Sequence, residues 1–212
     1  MPLFLKFNIQ PDGLVGIWQT NEQDNYFQEK LNLFPSESDE LEILKNRKRT
    51  EWLSSRYLLH ILSEREIRGA CLKDKFGKPY LENSEFHISI SHSSSYTGVI
   101  ASTSVVGIDI QVIIPKIERI TSKFVTEDEF RYIHNTNKTE AFHAIWGAKE
   151  AMYKAYGRKE LDFKKHISVG EFHFSRDGFI FTGEVKKDDF YKKYALSCHQ
   201  FDQLILVYAI EQ

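Results

Sequence analysis

The sequence predicts an α+β protein made of two similar halves, and two observations support this prediction. Amphipathic helical segments alternate with short runs of strand character along the 212 residues. The order of these parts also repeats once. A helix that contains Trp52 is followed by a strand that reaches His92, and later a helix that contains Trp146 is followed by a strand that reaches His199. The two spacings differ, which argues against a solenoid.

This repeat divides the chain near residues 103–106, into an N-terminal half at 1–104 and a C-terminal half at 105–212. Two pseudo-duplicated α+β halves are the interpretation that we favour. Chance similarity between two helix-and-hairpin units is the alternative, because such units are common.

In the first half, the helical signal lies in residues 37–68, where leucines and Trp52 recur at helical spacing. Residues 76–79 contain glycine and proline and form a turn signal. The alternating residues 86–91 and the apolar residues 96–102 then predict two neighbouring strands.

In the second half, residues 105–114 read as an apolar strand and residues 127–134 as a short helix. A long helix is predicted at 139–156, with Thr139 as its N-cap and Gly157 as its end. Four strands follow, at residues 167–174, 178–185, 194–199 and 204–210.

The composition limits the classes of function. Apolar residues make up 42% of the chain, which excludes a disordered protein, and the net charge of -2 gives no general attraction to nucleic acid or membrane. Cys71 and Cys198 are too few and too far apart for a disulfide framework or a zinc site. No apolar run reaches the roughly 18 residues of a membrane span. We therefore expect a cytoplasmic protein without nucleic-acid or membrane partners.

One predicted strand carries a carboxylate and an amide on the same face. Alternate side chains of a strand share a face, so Ile108 and Ile110 are expected in the core. Asp109 and Gln111 then point together to the other side and face one common space.

The long helix carries a second carboxylate. Trp146, Glu150 and Lys154 follow one another at intervals of four residues and form one stripe, with Lys149 beside it. If the stripe faces the strand, Asp109 and Glu150 can bind Mg²⁺, which prefers carboxylate oxygens and substrate phosphates. Lys154 can neutralise phosphate oxygens.

A simpler interpretation of the helix stays open. A glutamate and a lysine four residues apart are common on exposed helices, where they contribute only about 0.2–0.5 kcal/mol. In that case Glu150 and Lys154 form a surface ion pair of a purely structural α+β protein.

Several motifs, taken together, carry a family resemblance. Three of them occur in the order Ile88-Ser-Ile-Ser-His92, Gly107-Ile-Asp-Ile110 and Trp146-x-x-Lys-Glu-Ala-x-x-Lys154. Two more are Phe76-Gly-Lys-Pro79 and Lys123-Phe-Val-Thr-Glu-Asp-Glu129. From about residue 52 to residue 169, the chain resembles the Sfp-type 4'-phosphopantetheinyl transferases.

The resemblance implies an Mg²⁺-dependent enzyme that uses coenzyme A as co-substrate. Such an enzyme moves the 4'-phosphopantetheine arm to a serine of an apo carrier protein and leaves adenosine 3',5'-bisphosphate. The carrier belongs to fatty acid, polyketide or nonribosomal peptide synthesis. Family members of this size resemble a fused pseudo-dimer with the active site between the halves, so a monomer is expected. A catalytically silent relative that only binds coenzyme A or a carrier is the alternative.

The resemblance also implies roles for particular residues of the C-terminal half. Asp109 and Glu150 are expected as metal ligands. Glu150 is the first choice of base for the carrier serine, and Lys149 is its rival. Lys154 is expected to bind the pyrophosphate.

The N-terminal half is expected to hold the nucleotide end of coenzyme A. By resemblance, Ser91 and His92 contact phosphate groups, Lys78 contacts the adenine or its phosphates, and Arg56 contacts the nucleotide. The 3'-phosphate contact is left open among four basic residues, which are Lys45, Arg47, Lys48 and Arg49.

Gln111 departs from the family pattern, in which many members have an acidic third metal ligand at this position. An amide oxygen can still coordinate Mg²⁺ or hold a water molecule, but it adds no negative charge. If Gln111 is a ligand, changing it to Glu should lower the Mg²⁺ concentration that gives half-maximal activity.

Overall fold

The computed structural model describes residues 3–212. The chain divides into two compact units, Met1–Ser104 and Val105–Gln212. Both units combine helices with antiparallel sheets, so the α+β class predicted from the sequence is confirmed.

Residues 3–104 of the first unit form three helices and six strands. They are β1 Leu3–Ile9, β2 Gly13–Gln19, α1 Asp24–Gln28, α2 Pro35–Ile43, α3 Asn46–Ser63, β3 Cys71–Lys73, β4 Pro79–Leu81, β5 His87–Ser93 and β6 Tyr96–Ser102. The main sheet has the order β1-β2-β6-β5, and β3 and β4 form a separate pair. Helix α3 contributes Leu53, Leu58 and Leu62 to the core of this unit.

The second unit has two α-helices, two 3₁₀ segments and five strands. They are β7 Val106–Val112, 3₁₀ Pro115–Lys123, α4 Glu127–Phe130, 3₁₀ Asn135–Asn137, α5 Lys138–Tyr156, β8 Ile167–Val169, β9 Phe179–Lys187, β10 Phe190–Phe201 and β11 Leu204–Glu211. The sheet has the order β7-β11-β10-β9-β8. Helix α5 supplies Phe142, Ile145 and Met152 to a core that also contains Leu196 and Val207 of the sheet.

The two units share one topology in four of their elements. In the first, β2 precedes the long helix α3 and pairs with β6, the second strand of the β5-β6 hairpin. In the second, β7 precedes the long helix α5 and pairs with β11, the second strand of the β10-β11 hairpin. His92 on β5 and His199 on β10 therefore occupy equivalent strands.

Helix α5 lies directly on the backbone of β7. A Cβ atom built on Gly107 would lie 1.9 Å from the carbonyl oxygen of Ala151, and one built on Gly147 would lie 2.8 Å from Nε2 of Gln111. Neither glycine leaves room for a side chain at the contact, so small residues bring the helix and the strand together. This contact places the candidate site residues of the second unit.

Some predicted boundaries differ from the structure for local reasons. The helical signal at 37–68 is two helices, because Leu44 and Lys45 adopt extended backbone between α2 and α3. Thr139 lies inside the first turn of α5, where its hydroxyl donates to Glu118, and Asn137 takes the N-cap position. Gly157 ends the helix in the left-handed conformation, as predicted.

In residues 3–212, no helix combines the length and the apolar character that a membrane crossing requires.

The close contact predicts that Gly107→Ala will lower the free energy of unfolding by about 3 kcal/mol or more, since the added methyl group meets backbone atoms that cannot move separately. Urea unfolding measures the change. Gly69→Ala is the control, because its Cβ meets only the Glu82 carbonyl oxygen at 3.7 Å, and it should stay within about 1 kcal/mol of the unchanged chain. Equal stability of the two variants would contradict the packing described.

Candidate functional site

Asp109 lies on β7 and is bound to helix α5 by a lysine. The residue is 6% exposed, and its Oδ1 accepts a hydrogen bond from Lys154 Nζ at 2.9 Å. The same ammonium donates to the carbonyl oxygen of Ile108 at 2.9 Å. Lys154 therefore joins the helix both to the strand backbone and to the carboxylate.

Glu150 lies one turn before Lys154 on α5 and is partly buried. Burial raises the pKa of its carboxyl above the ordinary value, and the negative charge of Asp109 raises this pKa further, whereas the charge of Lys154 opposes the change. The two carboxylates are thus near enough to repel each other, and a cation between them would remove that cost.

The donor set of this pair fits a hard divalent cation. Mg²⁺ uses one or two protein carboxylates and keeps several waters or substrate oxygens. Among the residues that the structure describes, no group of three or more His, Cys, Asp or Glu side chains is placed to hold a metal. An ion at Asp109 and Glu150 would therefore take its other ligands from water and substrate.

Lys149 is completely buried and fully hydrogen-bonded. Its ammonium lies 2.8 Å from Glu129 Oε1, and it donates to the carbonyl oxygens of Phe124 and Phe163 at 2.7 and 2.8 Å. Burial lowers the pKa of Lys149, and the charge of Glu129 opposes that shift. A lysine ammonium has three donors, and these partners use all of them.

Glu129 connects three parts of the second unit. Its Oε2 accepts from the backbone N–H of Thr126 at 2.8 Å, and its Oε1 accepts from the backbone N–H of Val169 at 3.0 Å. The Lys149 ion pair adds helix α5 to this junction. Nothing in the local sequence predicts the ion pair of Glu129 with Lys149, although Thr126-x-x-Glu129 is a capping-box pattern that indicates the contact of Glu129 with Thr126.

Gln111 is held by His143, a residue that the sequence analysis did not assign. Gln111 Oε1 accepts from His143 Nδ1 at 2.6 Å, and Gln111 Nε2 donates to the main-chain oxygen of His143 at 2.9 Å. The outer ring nitrogen of His143 accepts from the backbone N–H of Ile114 at 3.0 Å. Burial lowers the pKa of His143, which favours the neutral ring that this arrangement requires. Gln111 thus lies under α5 and does not face an open space.

The other predicted site residues lie in the first unit. Ser91 and His92 are on β5, and His92 Nε2 lies 2.9 Å from the Glu51 carbonyl oxygen. Lys78 follows a turn in which its backbone N–H donates to Asp74. Of the four basic residues left open for the 3'-phosphate, Arg47 pairs with Glu51 and Arg49 pairs with Asp24, whereas Lys45 and Lys48 are exposed.

Arg56 is buried inside the first unit. Its side chain is 4% exposed, its guanidinium carbon lies 3.8 Å from the ring centre of Trp52, and it donates to the Cys71 carbonyl oxygen at 3.4 Å. Burial lowers the pKa of this arginine. These contacts make Arg56 part of the interior that supports α3.

Two comparisons with known proteins point to the same family. Residues 105–205 match the family model described as the 4'-phosphopantetheinyl transferase superfamily. A protein of Synechocystis sp. (strain ATCC 27184 / PCC 6803 / Kazusa) with the name "Putative 4'-phosphopantetheinyl transferase slr0495" is 28% identical over 123 residues, which are 50% of this chain and 49% of that protein. The alignment thus spans about half the length of that relative. The family match includes Asp109, Glu150 and Lys154.

The buried ion pair predicts that Glu129→Gln will lower the free energy of unfolding by about 3–5 kcal/mol, because Lys149 keeps its charge without a buried partner. Urea unfolding measures the loss. Arg131→Met is the control, since Arg131 and Asp128 form a pair with side chains 76% and 77% exposed, and its effect should be below about 1 kcal/mol. A Glu129→Gln variant as stable as Arg131→Met would contradict the role given to the pair.

Proposed function

We propose that this chain transfers the 4'-phosphopantetheine arm of coenzyme A to a serine of an apo carrier protein, because residues 105–205 match the family model of the 4'-phosphopantetheinyl transferase superfamily. The products are the holo carrier and adenosine 3',5'-bisphosphate. The observation that carries the proposal lies inside the matched region: Asp109 on β7 is bound at 2.9 Å by Lys154 of α5, the helix that also carries Glu150 one turn earlier. The motif order noted above favours the Sfp-type branch of the superfamily.

Asp109 and Glu150 are the residues that would hold Mg²⁺. The ion, when bound, neutralises pyrophosphate oxygens and makes the phosphorus more electrophilic. Lys154 supplies a further positive charge for phosphate oxygens. Its present contact with Asp109 at 2.9 Å keeps that charge beside the carboxylate pair.

Glu150 is the proposed base for the carrier serine. The serine oxygen forms a bond to the phosphorus that bears the pantetheine arm, the bond from that phosphorus to the bridging oxygen breaks, and the serine proton passes to a carboxylate oxygen of Glu150. Lys149 is less suited to the task, because its three donors are used by Glu129 and two carbonyl oxygens.

Ser91, His92 and Lys78 are proposed to contact the phosphate groups and the nucleotide of coenzyme A. This part of the proposal rests on the motif resemblance. Arg56 is likewise proposed to contact the nucleotide. Its buried guanidinium lies against Trp52 and the Cys71 carbonyl, so we propose that it also supports helix α3 from within.

A silent relative that binds coenzyme A or a carrier without transfer is the second candidate. The observation that favours it is Gln111, which brings no charge to the carboxylate pair and is held by His143. Incubation with coenzyme A, Mg²⁺ and an apo carrier, followed by intact-mass spectrometry, separates the two candidates. The proposal predicts one added phosphopantetheine and an equal amount of adenosine 3',5'-bisphosphate, whereas retained coenzyme A with an unchanged carrier would support the silent relative.

The proposal also predicts that Asp109→Ala and Glu150→Ala will each lower kcat/KM by about 10²-fold or more, because each removes a charge that acts in the transition state. Glu160→Ala is the matched control, since its side chain is 86% exposed, and it should stay within about twofold. Transfer rates over a series of carrier concentrations give these values. Full activity in both site variants would show that the proposed mechanism is wrong.

A further inference from the structure

Gln111 on β7 and His143 on α5 form a closed pair, which we call the amide strut. Each residue donates one hydrogen bond to the other, through His143 Nδ1 to Gln111 Oε1 at 2.6 Å and Gln111 Nε2 to His143 O at 2.9 Å. The two residues are 8% and 2% exposed. The N–H of Ile114 donates to the remaining ring nitrogen at 3.0 Å, so the chain segment after β7 is joined to the same pair.

The amide strut lies in the contact that positions the two carboxylates. Gln111 shares a face of β7 with Asp109, because the two are alternate residues of one strand. His143 lies seven residues before Glu150 and so shares its side of the helix. A Cβ atom on Gly147 would lie 2.8 Å from Gln111 Nε2, so the helix encloses the amide. A movement of α5 along β7 would break the strut and change the separation of Asp109 and Glu150.

We infer that Gln111 and His143 are positioning residues that hold Glu150 near Asp109, and that the Gln111 side chain is not a ligand of the cation. This inference rests on the proposed function, in which Asp109 and Glu150 bind a divalent cation. To turn toward a metal, the Gln111 amide would have to leave His143 Nδ1 buried without a partner and give up its own hydrogen bond to the His143 carbonyl oxygen. Folded proteins rarely leave such groups unpaired.

The strut also changes the expected result of adding a carboxylate at position 111. A glutamate cannot donate to the His143 carbonyl oxygen, and one of its oxygens would face that oxygen at about the same distance as Gln111 Nε2 does now. Gln111→Glu should therefore bind Mg²⁺ no more tightly than the unchanged chain. This outcome is the opposite of what a direct ligand role predicts.

Mn²⁺ titration of the free protein, followed by the electron paramagnetic resonance signal of unbound Mn²⁺, tests the inference without an activity assay. Gln111→Met and His143→Phe each remove the strut from one side, and each should raise the Kd for Mn²⁺ by about tenfold, the size typical of residues that orient metal ligands. The double variant should match either single variant, since both changes break the same unit.

A conservative variant tests whether the His143 donor is what matters. The side-chain amide of His143→Asn has an N–H near the position of Nδ1, so this variant should recover most of the Mn²⁺ affinity that His143→Phe loses. If His143→Phe does not fold, the comparison of Gln111→Glu with His143→Asn still decides. Tighter Mn²⁺ binding by Gln111→Glu would overturn the inference.

The same titration separates this inference from the proposed function. Asp109→Asn should raise the Kd for Mn²⁺ by more than any strut variant, because it removes a charged ligand. If Asp109→Asn has no effect, the proposed site is wrong. A third outcome is that Asp109→Asn and Gln111→Met both weaken Mn²⁺ binding while His143→Phe does not. In that case the metal site is correct but Gln111 is a direct ligand, which overturns the positioning role of the amide strut.

Discussion

The direct contact between helix α5 and the backbone of β7 is the constraint on which the second unit depends. At Gly107 even one methyl group would lie 1.9 Å from a backbone oxygen of the helix, so the two elements approach as closely as peptide groups allow. Asp109 is on this strand, and Glu150 and Lys154 are on this helix. The chemistry proposed for the unit follows from the separation that this contact sets.

Polar groups hold this contact at both ends of the helix face. Lys154 joins α5 to Asp109 and to the Ile108 carbonyl oxygen, and the amide strut joins it to β7 two residues further on. Apolar packing alone tolerates small shifts of a helix along a sheet, whereas buried hydrogen bonds accept few alternative arrangements. Burying such polar groups costs desolvation free energy, and in return it fixes the position of the elements that they join. The buried pair of Lys149 with Glu129 is a second example.

The sequence predicts the fold class and many elements, because long periodic segments and turn glycines carry strong local signals. Residues 96–102 and the end of α5 at Gly157 are examples. The pairing of Asp109 with the α5 stripe could also be expected, since alternation and helical spacing define shared faces. Strand β7 is buried on both faces, and periodicity does not tell which face a helix covers. Gln111 was therefore expected to face an open space, and its partner His143 had no assigned role. Lys149 is adjacent to Glu150, but successive helix positions differ by about 100° in direction, and the Lys149 side chain lies in the interior. The spacing of the residues does not tell which of the two side chains is buried.

The central claim is that Asp109 and Glu150 bind one divalent cation together while Gln111 stays on His143. Anomalous diffraction from a crystal soaked in Mn²⁺ tests it most directly. The account predicts one strong anomalous peak within coordination distance of a carboxylate oxygen from each of Asp109 and Glu150, with both hydrogen bonds of the amide strut intact. A peak that contacts only one of the two carboxylates, or a Gln111 amide oxygen bound to the metal, would contradict it.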